Sequence, residues 1–357
     1  MNKQFRYGIF IGRFQPLHLD HIEVMKKGLE LAEHLIVFVG SSNQARTIKN
    51  PWTFQERKTM IDLALTEGLH HHLESRNWSI LPLRDHYYND DIWAMTVQQK
   101  IKQITNGCND SDIVLLGSWK DDSSYYLKMF PQYSQHIART KIGGLNATDI
   151  RNELFGNKIT DFTNHDLQNC MSAVVLSWLK NHSELHPEIY DSLYREFEMI
   201  QKYKESWAKA PFPPTFITVD AVTICQGHVL VIKRKGHPGK GLYAIPGGFL
   251  EQEELIVDGA IRELKEETGI KIPKPALKNA IVDSKVFDYP GRSLRGRTIT
   301  HAYCLRLNLI DGGLPDLAPG SDADSCLWMN FSDIHDNEDK FFEDHYSIIQ
   351  YFISRPL

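Results

Sequence analysis

The first half of the chain alternates between short apolar runs and longer stretches of helical period. Tyr7–Ile11, Leu35–Val39, Ile80–Leu83 and Ile113–Leu116 are apolar runs with aromatic and β-branched residues, and they predict strands. Between them, Leu19–Ala32, Thr53–Leu65 and Ile92–Ile104 read as helices. Strands alternating with helices predict a parallel sheet covered on both faces. In such α/β folds ligands bind beyond the carboxyl ends of the strands. Gly12, Gly40 and Gly117 stand at those ends.

From about Asn164 to Ala210 the pattern is helical, with Val174, Leu176, Trp178 and Leu179, then Tyr194, Phe197 and Ile200, spaced for buried faces. Pro211-Phe212-Pro213-Pro214 then breaks the chain, because proline cannot continue a helix and makes a stiff connector. Beyond it, Thr215–Ile224 and His228–Lys233 resemble paired strands around a Gln226-Gly227 turn. One marked helix, Leu255–Thr268, precedes a strand-like Thr298–Asn308 and an amphipathic helix, Phe342–Ile353, so this half is α+β. The expected organisation is a first domain over 1–185 with a helical extension to about 210, a linker at 211–214, and a second domain over 215–357.

A length of 357 residues agrees with two domains at ~150 residues each. The composition, 42% hydrophobic and 24% charged, excludes wholesale disorder, collagen and coiled coil. A net charge of −5 argues against a nucleic-acid partner. Cys108, Cys170, Cys225, Cys304 and Cys326 form no CxxC pair, so reduced thiols in a cytoplasmic protein are expected. No apolar run approaches ~18 residues, so no membrane span is expected. A homo-oligomer is compatible with all of this.

The segment Gly12-Arg13-Phe14-Gln15-Pro16-Leu17-His18-Leu19-Asp20-His21 follows the first strand and opens the first helix. His18 and His21 share a helical face near an N-terminus, where backbone N–H groups and the helix dipole favour anions. Imidazoles there can donate to a polyphosphate and stabilise its developing charge. The bland alternative is a glycine turn with two incidental histidines. The string, however, resembles the nucleotidylyltransferase superfamily, specifically its archaeal-type nicotinamide mononucleotide (NMN) adenylyltransferases. Asp20 stands where that family usually has Gly, and is expected as a helix cap facing away. A second signature, Asn146-Ala147-Thr148-Asp149-Ile150-Arg151, matches at Thr148 and Arg151, with Asn146 replacing the usual Ser. The resemblance spans roughly residues 5–155 and includes Asn50, Trp52 and Arg57. It implies a Rossmann-like domain with His18, His21 and Arg151 acting on the ATP phosphates. Gly12, Arg13, Phe14, Asn50, Trp52, Arg57 and Thr148 would bind nucleotide, Trp52 by stacking, and Thr148 would also cap its helix.

The second candidate runs from Gly248 through Glu254, Arg262, Glu263, Glu266 and Glu267 to Gly269. Glu263, Glu266 and Glu267 lie at i, i+3 and i+4 on one helical face. Carboxylates so clustered repel unless a cation neutralises them, and hard oxygen donors suit Mg²⁺ or Mn²⁺. Val257, Ile261 and Leu264 give the same helix a core-facing stripe, and Gly269 ends it. Arg262 is expected to orient a glutamate. A solvated acidic face explains the acidity but not this register. The string resembles the Nudix box, which implies that metal held by Glu263, Glu266 and Glu267 activates water against a diphosphate. Gly248, Glu254, Arg262 and Gly269 would support it, with a base late in the chain, Glu343 or Asp344. Arg292, Arg295 and Arg297, flanked by glycines, are candidates for phosphate or adenine contact. His70-His71-His72 is read as an exposed loop, and Gly236–Gly241 lacks P-loop spacing.

The order of motifs resembles bacterial bifunctional NMN adenylyltransferase/ADP-ribose pyrophosphatases. That implies two activities: ATP and NMN giving NAD and pyrophosphate, and ADP-ribose giving AMP and ribose 5-phosphate. Two alternatives stand beside it. The second domain could be a non-catalytic sensor of NAD-related metabolites, or the first could use another phosphorylated acceptor.

Overall fold

The computed structural model describes residues 3–68, 77–118, 122–138, 146–156, 165–320 and 323–355. The His70–His72 tract lies outside these residues. The chain forms two compact units, Met1–Asn43 with Ile48–Tyr194, and Gln44–Thr47 with Arg195–Leu357. Among the described residues no helix is long and apolar enough to cross a membrane.

The first unit runs β1 (Phe5–Gly12), α1 (Leu19–Leu31), β2 (Ala32–Val39), α2 (Phe54–Gly68), β3 (Trp78–Pro82), α3 (Asp90–Ile104), β4 (Ile113–Ser118), β5 (Ser134–Ala138), α4 (Ala147–Gly156), α5 (His165–Cys170) and α6 (Ala173–Leu185). Helix α7 (Pro187–Trp207) follows, and the division into units falls within it. The sheet order is β3-β2-β1-β4-β5, with every neighbouring pair parallel. Apolar side chains such as Ile9, Ile36, Phe38 and Leu115 fill its core. The order reverses between β1 and β4, and the crevice at such a switch point is where α/β sheets bind ligands. Strand β5 escapes a periodicity reading because Ser134-Gln135-His136-Ile137-Ala138 is a largely exposed edge.

The second unit runs β6 (Thr215–Cys225), β7 (His228–Arg234), β8 (Tyr243–Ala244), β9 (Gly247–Phe249), α8 (Ile256–Thr268), α9 (Lys274–Asn279), β10 (Ile281–Phe287), β11 (Arg297–Leu307), β12 (Ala323–Asn330), α10 (Phe331–Asp336) and α11 (His345–Ile353). Its mixed sheet has the order β10-β11-β6-β7-β12, with β8 on β7 and β9 on β6. Only β6 and β11 pair in parallel among these strands. Gln226 and Gly227 join β6 to β7 with φ of +43° and +76°, the geometry of a tight hairpin turn. The last helix starts at His345 rather than Phe342. Phe341 and Phe342 are drawn instead onto Tyr243, whose carbonyl accepts the Phe342 N–H at 2.8 Å.

Two candidate active sites

The first site gathers at the carboxyl end of β1. His18 is the N-cap of α1, not a residue within the helix, and is 1% exposed. Its ring centroid lies 3.7 Å from that of His21, and its backbone N–H donates to His21 Nδ1 at 3.4 Å. A neutral His21 therefore carries its proton on Nε2. Asp20 does not cap the helix as expected, since His18 holds that position; Asp20 is buried in the first turn. A Cβ at Gly12 would stand 2.7 Å from Phe14 Cζ, so the glycine makes room for that ring. Phe14 itself is core, edge-on to Phe10 and His21, rather than open to a nucleotide.

Two arginines expected to meet nucleotide are occupied by backbone. Arg57 is buried, and its guanidinium donates to the carbonyls of Arg13 and Gly40, both at 2.7 Å, and of Ser41 at 3.1 Å. It thereby ties the loop after β1 to the loop after β2. Arg151 donates to the carbonyls of Gln15 at 2.6 Å and Ala147 at 3.1 Å, and to Thr148 Oγ1 at 3.1 Å. Burial, with the nearby Arg13 charge, pushes the pKa of each down to about 10. Arg13 itself is exposed.

The cap of α4 is Asn146, not Thr148. Asn146 Oδ1 accepts the N–H groups of Thr148 and Asp149 at 2.8 and 3.1 Å, and Asp149 Oδ2 accepts the Asn146 N–H at 3.2 Å. Asn replaces Ser without loss of the cap. Trp52, expected as a stacking surface, is 1% exposed and packs near Phe155, with its indole N–H on Tyr190 Oη at 3.2 Å. Asn50 is different: its buried Oδ1 has no hydrogen-bond partner, an atom that a polar ligand would satisfy. Gln15, which no spacing singled out, is the hub of this site through its bonds to Trp52 and Arg151.

The second site is built on α8. Ile261 and Leu264 are fully buried against the sheet, while the acidic residues face away from that stripe. Gly269 ends the helix with φ of +59°. Arg262 holds Glu254 through two bonds of 3.0 and 2.8 Å, and reaches Glu263 Oε1 and Glu266 Oε2 at 2.9 Å each. It orients glutamates, as expected. Glu267 is buried and accepts the Gly247 N–H at 3.0 Å. Burial, then the charge of Glu263, pushes its pKa up to about 8, and burial raises that of Glu263 too. A set of oxygen donors held against their own repulsion fits a divalent cation.

A second group of charged side chains is gathered in the same unit. Arg292 Nε and Nη2 donate to the two oxygens of Asp344 at 3.0 and 2.8 Å, both side chains 2% exposed. Burial opposes the Arg292 charge, but Asp344 outweighs it and the pKa is raised. The guanidinium is thus committed to Asp344 rather than open to substrate. Arg297 donates to the Asp288 carbonyl at 2.5 Å. Arg295 lies over the Phe249 ring at 5.1 Å and 3.8 Å from Glu343. Asp220, in the middle of β6, accepts from Thr300 Oγ1 at 2.5 Å, and burial lifts its pKa to about 6. Its signal was present in sequence as one acid inside an apolar strand. Glu343, Asp344 and His345 come together, but Asp344 is paired with Arg292 and His345 Nδ1 accepts the Ile245 N–H at 3.0 Å. Burial pushes the His345 pKa down to about 3, keeping the imidazole a neutral acceptor.

Residues 214–352 match the NUDIX domain model, and residues 9–118 match the cytidylyltransferase-like model. The chain is similar over 98% of its length to a solved bifunctional NMN adenylyltransferase/ADP-ribose pyrophosphatase from Francisella tularensis, at 34% identity, TM-score 0.89 and 99% coverage of that chain. A second Francisella structure of that enzyme, complexed with AMP and Mn ion, matches at 32% identity and TM-score 0.88, covering 98% of this chain and 99% of that one. An ADP-ribose pyrophosphatase of Methanocaldococcus jannaschii is 36% identical over 134 residues, 38% of this chain and 70% of its own. A nicotinamide/nicotinic acid mononucleotide adenylyltransferase of Acinetobacter baylyi is 29% identical over 194 residues, 54% of this chain and 94% of its own.

Proposed function

Because the chain belongs to the bifunctional NMN adenylyltransferase/ADP-ribose pyrophosphatase family, we propose that its two candidate sites divide the two activities between them. Residues 1–185, with the helices to about 210, make NAD and pyrophosphate from ATP and NMN. Residues 215–357 hydrolyse ADP-ribose to AMP and ribose 5-phosphate, and 211–214 link the two. The observation that carries this reading is the opposite kind of side chain gathered at each site. Buried Arg57 and Arg151 lie near Arg13 in the first, and Glu263 and Glu267 lie together in the second. The first is prepared for an anion, the second for a cation.

In the first site the NMN phosphate attacks the α-phosphorus of ATP in line. His18 and His21 donate to the phosphates at the N-terminus of α1, Arg13 adds charge from the loop, and Asn50 binds a polar group of substrate. Arg57 and Arg151 act by fixing the loops that carry these groups. In the second, Glu263, Glu266 and Glu267 would hold the divalent ion, Mg²⁺ with Mn²⁺ able to replace it. An ion held there would supply an activated water and would neutralise diphosphate charge. Arg262 and Glu254 aim the glutamates, and Arg295 with Phe249 flanks the substrate. Glu343 is the better base than Asp344, which Arg292 holds. The ligands are small nucleotides rather than nucleic acid, and the enzyme works in the cytoplasm.

Product analysis tests this with intact protein and Mg²⁺. ATP plus NMN should yield NAD and pyrophosphate, and ADP-ribose should yield AMP and ribose 5-phosphate. Glu266→Gln should stop hydrolysis and spare NAD synthesis. Loss of both activities with the fold intact would sink the two-site assignment.

A further inference from the structure

A hydrogen-bonded chain runs through the first unit from its last helices to the loop that opens α1. Tyr190 of α7 is buried, and its hydroxyl accepts the Trp52 indole N–H at 3.2 Å and lies 2.9 Å from His182 Nδ1 on α6. His182 Nε2 is 3.0 Å from Glu56 Oε1, and Glu56 Oε2 accepts the Thr53 N–H at 2.7 Å. The Trp52 backbone is clasped both ways by Gln15. Gln15 Nε2 donates to its carbonyl at 2.8 Å, and its N–H donates to Gln15 Oε1 at 3.1 Å. Gln15 lies three residues before His18 and also accepts from Arg151.

Proton accounting gives the chain one direction. An indole N–H can only donate, so the Tyr190 oxygen accepts there, and a neutral His182 that turns its one N–H to the Glu56 carboxylate takes the Tyr190 proton at Nδ1. The remaining imidazole proton then faces Glu56 from Nε2. Stacking on Trp178, at 4.7 Å and 21°, holds that ring in plane. Packing alone would be served by Phe and Leu without burying polar atoms. A linked set of bonds instead selects one rotamer for each member.

We propose that Tyr190 and His182 are positioning residues for adenylyl transfer. They fix Trp52, and through the Gln15 clasp they fix the 14–18 loop that sets the His18–His21 pair. Neither touches substrate. The inference rests on reading the 12–21 segment as the site of the ATP phosphates.

Tyr190→Phe removes only the hydroxyl. Its kcat for NAD formation should fall about fivefold, the loss of one buried hydrogen bond, with KM for ATP moving by less than about twofold. ADP-ribose hydrolysis by the same protein should be unchanged. His182→Leu should show the same loss, and His182→Gln, which keeps a donor and an acceptor, should recover most of it. The proposal is overturned by full kcat in Tyr190→Phe, by a loss confined to KM, or by His182→Gln as slow as His182→Leu. His18→Ala is measured alongside. If it keeps full NAD synthesis, the phosphate-loop reading falls. If it is inactive while Tyr190→Phe runs at full rate, only the positioning proposal falls.

Discussion

Gly248→Ala should separate stability from chemistry at the second site. Gly248 pairs with Val219 in β9, and its backbone lies outside the left-handed region, so alanine is conformationally tolerated. The new Cβ would stand 2.7 Å from Glu263 Cδ and closer still to Oε1. Carbon atoms settle at about 3.5–4.0 Å, so the carboxyl must retreat by about 1 Å. It is the far end of a long side chain, tied to another long one, Arg262, so the fold gives way cheaply. Overpacking of about 1 kcal/mol is offset by the ~0.4–1 kcal/mol that Gly→Ala removes from unfolded-chain entropy. Catalysis has no such latitude, because a displacement of about 1 Å costs roughly a hundredfold, or ~2.7 kcal/mol of barrier. The assay is kcat for ADP-ribose hydrolysis beside kcat for NAD synthesis and the denaturation midpoint. Hydrolysis should fall about a hundredfold while the other two hold. In a Glu263→Asp background, where the carboxyl is already drawn back, the same substitution should cost far less. Gly248→Ala protein hydrolysing within about twofold of wild type would refute the role given to Glu263.

Glu267 gives a pH prediction with a definite sign. Burial raises its folded pKa to about 8 from 4.5. The metal-free fold therefore holds a proton that the unfolded chain has released, and its stability falls as pH rises across that window. Cation binding must displace the proton, so Mn²⁺ affinity should rise roughly tenfold per unit from pH 6 to 8. Calorimetric titration reads this, and an unchanged slope in Glu267→Gln would remove Glu267 from the ligand set. Arg292→Met should cost about 3–5 kcal/mol by taking the guanidinium from the buried Asp344 carboxylate, and Arg292→Met with Asp344→Leu should recover most of it. Chemical denaturation measures both, and a double variant no better than the single would show that the pair is not the source of the loss.

What could be read from sequence was what is local in sequence. Glu263, Glu266 and Glu267 share a face because of helical spacing, and Gly269 ends that helix as its conformational freedom dictates. The alternation of strands and helices likewise foretold a parallel sheet, because each element carries its own period. The supports of these sites are long-range, and no period announces them. Arg292 meets Asp344 across 52 residues, Asp220 meets Thr300 across 80, and Ile245 meets His345 across 100. Gln15 meets Arg151 across 136, and Trp52 meets Tyr190 across 138. The misplaced roles follow from the same division. Trp52, Arg57, Arg151 and Arg292 carry groups able to bind a nucleotide, and residue type alone made them candidates for contact. Burial decides otherwise, since a guanidinium or indole taken from water must find its partners inside the protein, and here backbone carbonyls, Tyr190 and Asp344 supply them. The residues left to meet ligand are therefore those whose polar atoms the fold does not consume. Asn50, with its orphaned oxygen, meets that criterion on geometry where sequence offered only a motif position.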